Sequence, residues 1–312
     1  MDNFYSNKIF LAPMAGVTDL AFRTLCKEYG ADLVVSEMVS SRGLHYKDKK
    51  TNELLQTNDI ETPLIVQLFG NEPDVMAEAA KILEDSGVSY LDINMGCPAP
   101  KIVKNGDGCS LMRDEVLAGK IAEAVVKSVK IPVSVKFRSG WDKDSINAVS
   151  FAKTMENAGV SAVTVHGRTK DQFYSGNADY NIIKNVRDAV KIPVIANGDV
   201  VDGTSALNIL SKTNCNSLMV GRGSFGNPLI FAEIKSAFKG ETRIFNTNDK
   251  KRALIRHIEL MEEYKSEKLG VPEMRKHFAW YLKGIPHSNK LKVEAFTVKT
   301  YKEMKNLANK IL

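Results

Sequence analysis

Eight short apolar runs recur along the first 220 residues of this 312-residue chain, and segments of helical period separate most of them. No other feature constrains the fold as tightly. The runs lie at 9–13, 32–36, 64–69, 90–94, 132–137, 162–166, 193–197 and 217–220, several with the two-residue alternation of a strand. Segments 19–29, 73–85, 114–129, 145–157 and 204–210 carry apolar residues three and four apart, as one face of a helix does. Gly30, Gly87 and Gly159 each stand between a helical segment and the next strand, where a helix ends. Strand and helix in regular alternation predict an α/β chain whose parallel strands close into a (β/α)8 or TIM barrel. A doubly wound open sheet satisfies the same alternation, because the order of strands in space is not written in the sequence.

A closed barrel places its active site at the C-terminal strand tips, and the unusual residues of this chain fall there. In the fifth strand Val133, Val135 and Phe137 share one face, while Ser134, Lys136 and Arg138 share the other. By the same period Gln67, Lys136, His166 and Asn197 turn away from the apolar face and toward the barrel interior. Each alone reads as an edge lysine or a hydrogen-bonded core residue. At matching positions on different strands they read as a ligand site. The last two tips, Asn197-Gly198-Asp199 and Gly221-Arg222-Gly223, are glycine turns that lead toward helices. Main-chain N–H groups in such turns cradle phosphate, and barrels commonly bind it after strands seven and eight. Arg222 adds a guanidinium able to grip two phosphate oxygens.

The fourth strand runs into Asn94-Met95-Gly96-Cys97-Pro98 and breaks there, which leaves a thiol on the turn beyond the tip. Cys97 is either a reactive group that moves a proton or attacks a substrate, or a small buried apolar side chain. Cys26, Cys97, Cys109 and Cys215 form no CxxC pair, so they make neither a disulfide framework nor a zinc site, and a metal is not expected. Their reduced state points to the cytoplasm. Met1-Asp2-Asn3-Phe4 lacks the basic and apolar regions of a signal peptide, and no apolar run approaches the ~20 residues of a membrane span.

Beyond position 238 the pattern becomes helical throughout. One helix is expected over 249–268, a second from Pro272 to Leu282 and a third from Asn289 to the end. This stretch holds 17 Lys+Arg against 9 Asp+Glu, a net charge of +8, whereas residues 1–238 carry a net −2. A basic appendage on a near-neutral body fits a polyanion, although solvated helix faces look alike. Arg275, Lys276, His277 and Lys283 cluster with Trp280 and Tyr281, a mixture suited to an RNA backbone with splayed bases or, in part, to core anchors.

Assembled, these residues resemble the tRNA-dihydrouridine synthases, most closely their bacterial B-type branch. The likeness rests on Leu11-Ala12-Pro13-Met14-Ala15-Gly16-Val17-Thr18-Asp19, Asp92-Ile93-Asn94-Met95-Gly96-Cys97-Pro98 and Val135-Lys136-Phe137-Arg138-Ser139-Gly140-Trp141. Val165-His166-Gly167-Arg168-Thr169, Ile195-Ala196-Asn197-Gly198-Asp199 and Val220-Gly221-Arg222-Gly223 complete it, so that it spans nearly the whole chain. The resemblance implies an FMN-binding catalytic barrel over 1–238 and a tRNA-binding helical domain over 239–312. It implies a flavin-dependent oxidoreductase of CH–CH groups that reduces the C5=C6 bond of uridines in tRNA, with NADPH as reductant. Pro13, Met14, Ala15, Gln67, Lys136, His166, Asn197, Gly198, Asp199, Gly221 and Arg222 are implied flavin contacts. Cys97 is the implied proton donor, and Asn94, Arg138 and Arg168 are implied uridine or tRNA contacts. The tRNA is the implied partner, with no membrane, metal or obligate protein partner. Two other readings stay open: a flavin barrel acting on a free pyrimidine or other small enone, and an RNA chaperone with a vestigial flavin.

Overall fold

The computed structural model describes residues 4–46, 48 and 54–311. Met1, Asp2 and Asn3, on which the signal-peptide reading partly rests, lie outside the described residues, as does Leu312. Eight parallel strands close into a barrel in chain order. They are β1 (Ile9–Leu11), β2 (Leu33–Ser40), β3 (Leu64–Phe69), β4 (Tyr90–Met95), β5 (Val133–Arg138), β6 (Ala162–His166), β7 (Val194–Asn197) and β8 (Ser217–Val220). β8 pairs back onto β1, Leu218 against Ile9, which closes the sheet and excludes the open alternative.

Helices cover the outside. They are α1 (Leu20–Glu28), α2 (Ser41–His45), α3 (Pro73–Asp85), α4 (Pro100–Lys104), α5 (Glu115–Ser128), α6 (Ala148–Asn157), α7 (Tyr180–Ala189), α8 (Gly203–Thr213) and α9 (Ile230–Phe238). Side chains at their starts hold the free N–H groups: Asp19 for α1, Asp114 for α5, Asp179 for α7 and an Asp202–Ser205 capping box for α8. Gly30, Gly87 and Gly159 take positive φ just past α1, α3 and α6, the helix-ending role expected of them. Four of these helices, α2, α4, α7 and α9, were not among the expected segments. β2 is also longer than expected, with an irregularity between Val35 and Met38.

The alternation sorts the strand residues into two cores. Val133, Val135, Phe137, Val163, Val165, Ala196, Leu218 and Val220 face out and pack under the helices. Phe10, Leu33, Ile65, Ala162, Ile195 and Met219 face in and fill the lower barrel around Tyr5. Above that apolar floor the inward positions become polar.

After the barrel come α10 (Thr247–Tyr264), α11 (Glu267–Tyr281), α12 (Asn289–Ala295) and α13 (Tyr301–Asn309). The long first helix expected to reach 268 stops at Tyr264, because Lys265 is extended and Ser266 starts the next one. Pro272 therefore lies inside α11 and does not open it. It leaves a first turn already satisfied by the Leu269 and Gly270 bonds to the Ser266 carbonyl. The last expected helix is broken in two: α12 stops at Ala295, and a Thr300 cap starts α13. No helix among the described residues is long and apolar enough to cross a membrane.

Candidate active site at the barrel mouth

The polar upper layer is a chain of hydrogen bonds. Asp92, buried on β4, accepts from Gln67 Nε2 at 2.6 Å and from Ser134 Oγ at 2.6 Å. A carboxylate only accepts, so it fixes which end of the Gln67 amide faces it. Gln67 Oε1 then accepts from Asn94 Nδ2 at 2.8 Å, which turns Asn94 Oδ1 toward the cysteine turn. That oxygen takes the N–H groups of Gly96 at 3.2 Å and Cys97 at 2.9 Å. Gln67 is thus committed on both ends to protein partners and lies a layer below the mouth.

Cys97 is half-buried on this turn, at the end of the relay. Burial pushes its thiol up, against the lowering pull of the Ala99 main chain, Arg138 and Lys136. It is a protonated thiol at neutral pH, which suits a proton donor better than a nucleophile. Lys136 stands beside Asn94 across β4 and β5, and its Nζ donates to Asn197 Oδ1 at 3.1 Å. Burial and the Arg138 charge pull the ammonium down to about 8, while Asp92 opposes them. Asp92 in turn is pushed by burial up to about 6, against its two hydrogen bonds and the Lys136 charge. His166 is buried on β6 and held well below its usual pKa, first by burial and then by Lys136, Arg138, Arg168 and Arg222, so its ring is neutral.

The two glycine turns after β7 and β8 leave main-chain donors unused. The N–H groups of Gly198, Asp199, Arg222 and Gly223 have no acceptor among the described residues. Gly198 and Asp199 both take positive φ, 139° and 53°, and Asp199 has no glycine exemption from that cost. Arg168 and the Ala178 N–H hold the Asp199 carboxylate in place. At Gly221 an added Cβ would meet only Ala12 and Met14, at 3.8 and 3.9 Å, so that tip borders open space beside the β1 loop. Free N–H groups, the Lys136 ammonium and the Arg222 guanidinium together fit a phosphate-bearing heteroaromatic cofactor such as FMN.

Arg138 and Arg168 are buried, and most of their donors go to main-chain carbonyls. Arg138 bonds Gly96, Thr169 and Phe173, each at 2.9 Å. Arg168 bonds Ser175 and Gly176. Both guanidiniums therefore brace the loop after β6 from beneath. Sequence reasoning passed over three participants. Asp92 was readable from Asn94 by the two-residue period. Phe173 and Tyr174 gave no sequence signal, since loop geometry is what lifts them to the rim.

The aromatic and basic cluster of α11 is placed differently from the RNA-facing reading. His277 and Tyr281 are buried, and Trp280 stacks on Phe225 of the barrel with centroids 4.3 Å apart. Arg275 donates to the Val298 carbonyl, and Lys276 to that of Gly16. Lys276, His277 and Trp280 lie in the seam between barrel and tail, where α11 and α10 press against α1 through Phe22, His257 and His277, while Arg275 bonds within the tail. Gly226 is needed there, because a Cβ would run into the Trp280 main chain and its φ is 61°.

Comparison with known proteins shows the family of the chain. Residues 10–312 match the family model described as dihydrouridine synthase. A probable tRNA-dihydrouridine synthase of Rickettsia bellii is 49% identical over 286 residues, covering 91% of this chain and 88% of the relative. The tRNA-dihydrouridine synthase B of Pasteurella multocida is 41% identical over 281 residues, 89% of this chain and 85% of the relative. That of Pseudomonas aeruginosa is 39% identical over 290 residues, 92% and 87%.

Proposed function

The chain belongs to the dihydrouridine synthase family, and from that premise we propose that it reduces the C5=C6 bond of uridines in tRNA, with FMN in the barrel mouth and NADPH as reductant. The observation that carries this reading is the Asp92–Gln67–Asn94 relay ending on a protonated Cys97 beside Lys136. When bound, the flavin supplies the hydride that adds at C6 of the uracil. Charge then develops on C5 and the adjoining carbonyl, and Cys97 donates its thiol proton to C5. Asn94 holds the cysteine turn by its main chain, so the sulfur needs no large rearrangement to reach the base. Lys136 favours negative charge on the group seated against it. Gly198, Asp199, Gly221 and Arg222 would hold the cofactor phosphate, Pro13, Met14 and Ala15 its ring side, and His166 a neutral hydrogen-bonding edge.

We assign catalysis to the barrel, residues 1–238, and a share of the tRNA grip to the basic tail, 239–312. The target base must leave its stack to enter the mouth, at a cost of a few kcal/mol that RNA contacts outside the mouth offset. The test is optical. The purified chain should be yellow, bleach with NADPH under anaerobic conditions and regain colour when unmodified tRNA is added. Failure to regain colour with tRNA, alongside recovery with free uracil, would replace this reading by that of a small-molecule enzyme.

A further inference from the structure

The rim of the mouth carries three aromatic rings that the reaction chemistry leaves unused. Phe173 and Tyr174 are each 44% exposed, in edge-to-face contact at 4.7 Å. Exposed rings on a rigid loop are unusual, and this loop is held hard. Arg138 binds the Phe173 carbonyl with the same guanidinium that binds Gly96, one residue from Cys97. Phe173 is itself kept at φ 52°, a left-handed conformation that a bulky residue adopts only at a cost. Cations flank the rings. The Arg222 guanidinium lies 4.4 Å from the Tyr174 centroid, and Lys170 lies 4.4 Å and Arg113 4.8 Å from that of Trp141. Lys170 and Asp171 also pair by their N–H groups with the carbonyls of Gly140 and Trp141, which joins the two loops into one rim. Beside Trp141 opens a cleft of about 510 Å³ lined by Met112, Arg113, Asp142 and Asn147.

We propose that Trp141, Phe173 and Tyr174 form a stacking platform for the nucleotides that adjoin the reacting uridine, with Arg113 and Lys170 meeting their phosphates. The proposal rests on the tRNA reading above. Rings alternating with cations beside a base-sized mouth match single-stranded RNA, whose bases stack on aromatic faces while its backbone seeks positive charge. Braced main chain lowers the ordering cost of binding. In contrast with Trp280, these rings have no apolar partner surface to fill.

A variant pair separates binding from folding. Phe173→Gly removes the ring and relieves the backbone cost, so the loop keeps its shape. Tyr174→Leu keeps bulk and loses the π face. The Phe173→Gly/Tyr174→Leu double variant of the full chain should bind an unmodified tRNA transcript about tenfold or more weakly at fixed salt. Its melting midpoint should not fall below that of the native chain, and its salt slope should be unchanged. Lys170→Ala should lower that slope instead. Native-like affinity in the double variant, or a loss of affinity that tracks a loss of fold, overturns the platform. A native chain that makes dihydrouridine while the double variant binds normally sinks the platform alone. A native chain that makes none while the double variant binds weakly sinks the reaction and leaves the platform.

Discussion

The barrel mouth and the barrel–tail seam are built from the same kinds of residue and treat them in opposite ways. At the mouth, Asp92, Gln67, Asn94 and Ser134 are buried and bonded to one another. At the seam, His257 Nε2 and His277 Nδ1 are buried with no hydrogen-bond partner among the described residues, and their rings serve as packing against Phe22. Cations differ likewise. Lys136 reaches into the mouth, while Lys265 and Arg256 are spent on Asp19 and Glu28 at 2.7 Å each, tying the tail to the first barrel helix. A polar residue in the interior marks chemistry where it extends a network toward open space. Where it ends in apolar surroundings, it marks a lock. Helical spacing and composition look the same in both places.

The largest expected separation between the two regions is catalytic. Cys97→Ala should leave the fold and the cofactor in place and slow dihydrouridine formation by about 10²- to 10⁴-fold, the usual worth of a positioned acid. Single-turnover product measurements read this directly, and a native rate would remove Cys97 from the mechanism. No seam variant should act through chemistry in this way.

The next effect belongs to the seam and has a pH signature. Burial holds His257 down at about 4 and His277 well below its usual range. The unfolded chain, with imidazoles near 6.5, binds more protons than the folded chain between those values. Stability from these two residues is therefore present above about 6.5 and is lost as pH falls toward 4, by up to ~1.4 kcal/mol per pH unit for each. Melting midpoints should drop over that window, and His257→Phe should flatten the drop. Equal slopes in the native chain and the variant would take His257 out of the lock.

At the mouth the sign reverses and the effect is smaller. Asp92 is raised from an unfolded value near 4 to about 6, so its contribution is present at low pH and lost as pH rises through 6. Asp92→Asn can still accept from Gln67 and can donate to Ser134, so most activity should survive. The variant should gain in melting midpoint over the native chain as pH climbs from 4 to 7. A gain independent of pH would show that the Asp92 carboxyl titrates alike in the folded and unfolded chain.

The strand–helix alternation was legible because each barrel unit obeys local rules of period, cap and glycine stop. The inward polar set, Gln67, Lys136, His166 and Asn197, followed from the two-residue period once the outward face was known. For the α11 cluster the sequence left RNA contact and core anchoring both open, because α11 does not stand alone. Arg275, Lys276, His277, Trp280 and Tyr281 occupy a helix whose environment is set by α1 and the Phe225 turn, far off in sequence. The Pro272 boundary failed for a related reason, since the helix start depends on Ser266 six residues earlier. Phe173 and Tyr174 stayed hidden because a left-handed turn braced by Arg138 leaves no trace in composition.

Mass analysis of tRNA tests the central claim most directly. Unmodified transcript is incubated with the purified chain and NADPH, digested to nucleosides and weighed. The account predicts a uridine heavier by two hydrogens that accumulates with time and needs the native Cys97. A transcript that comes back with every uridine unchanged, from a protein that is folded and yellow, would contradict it.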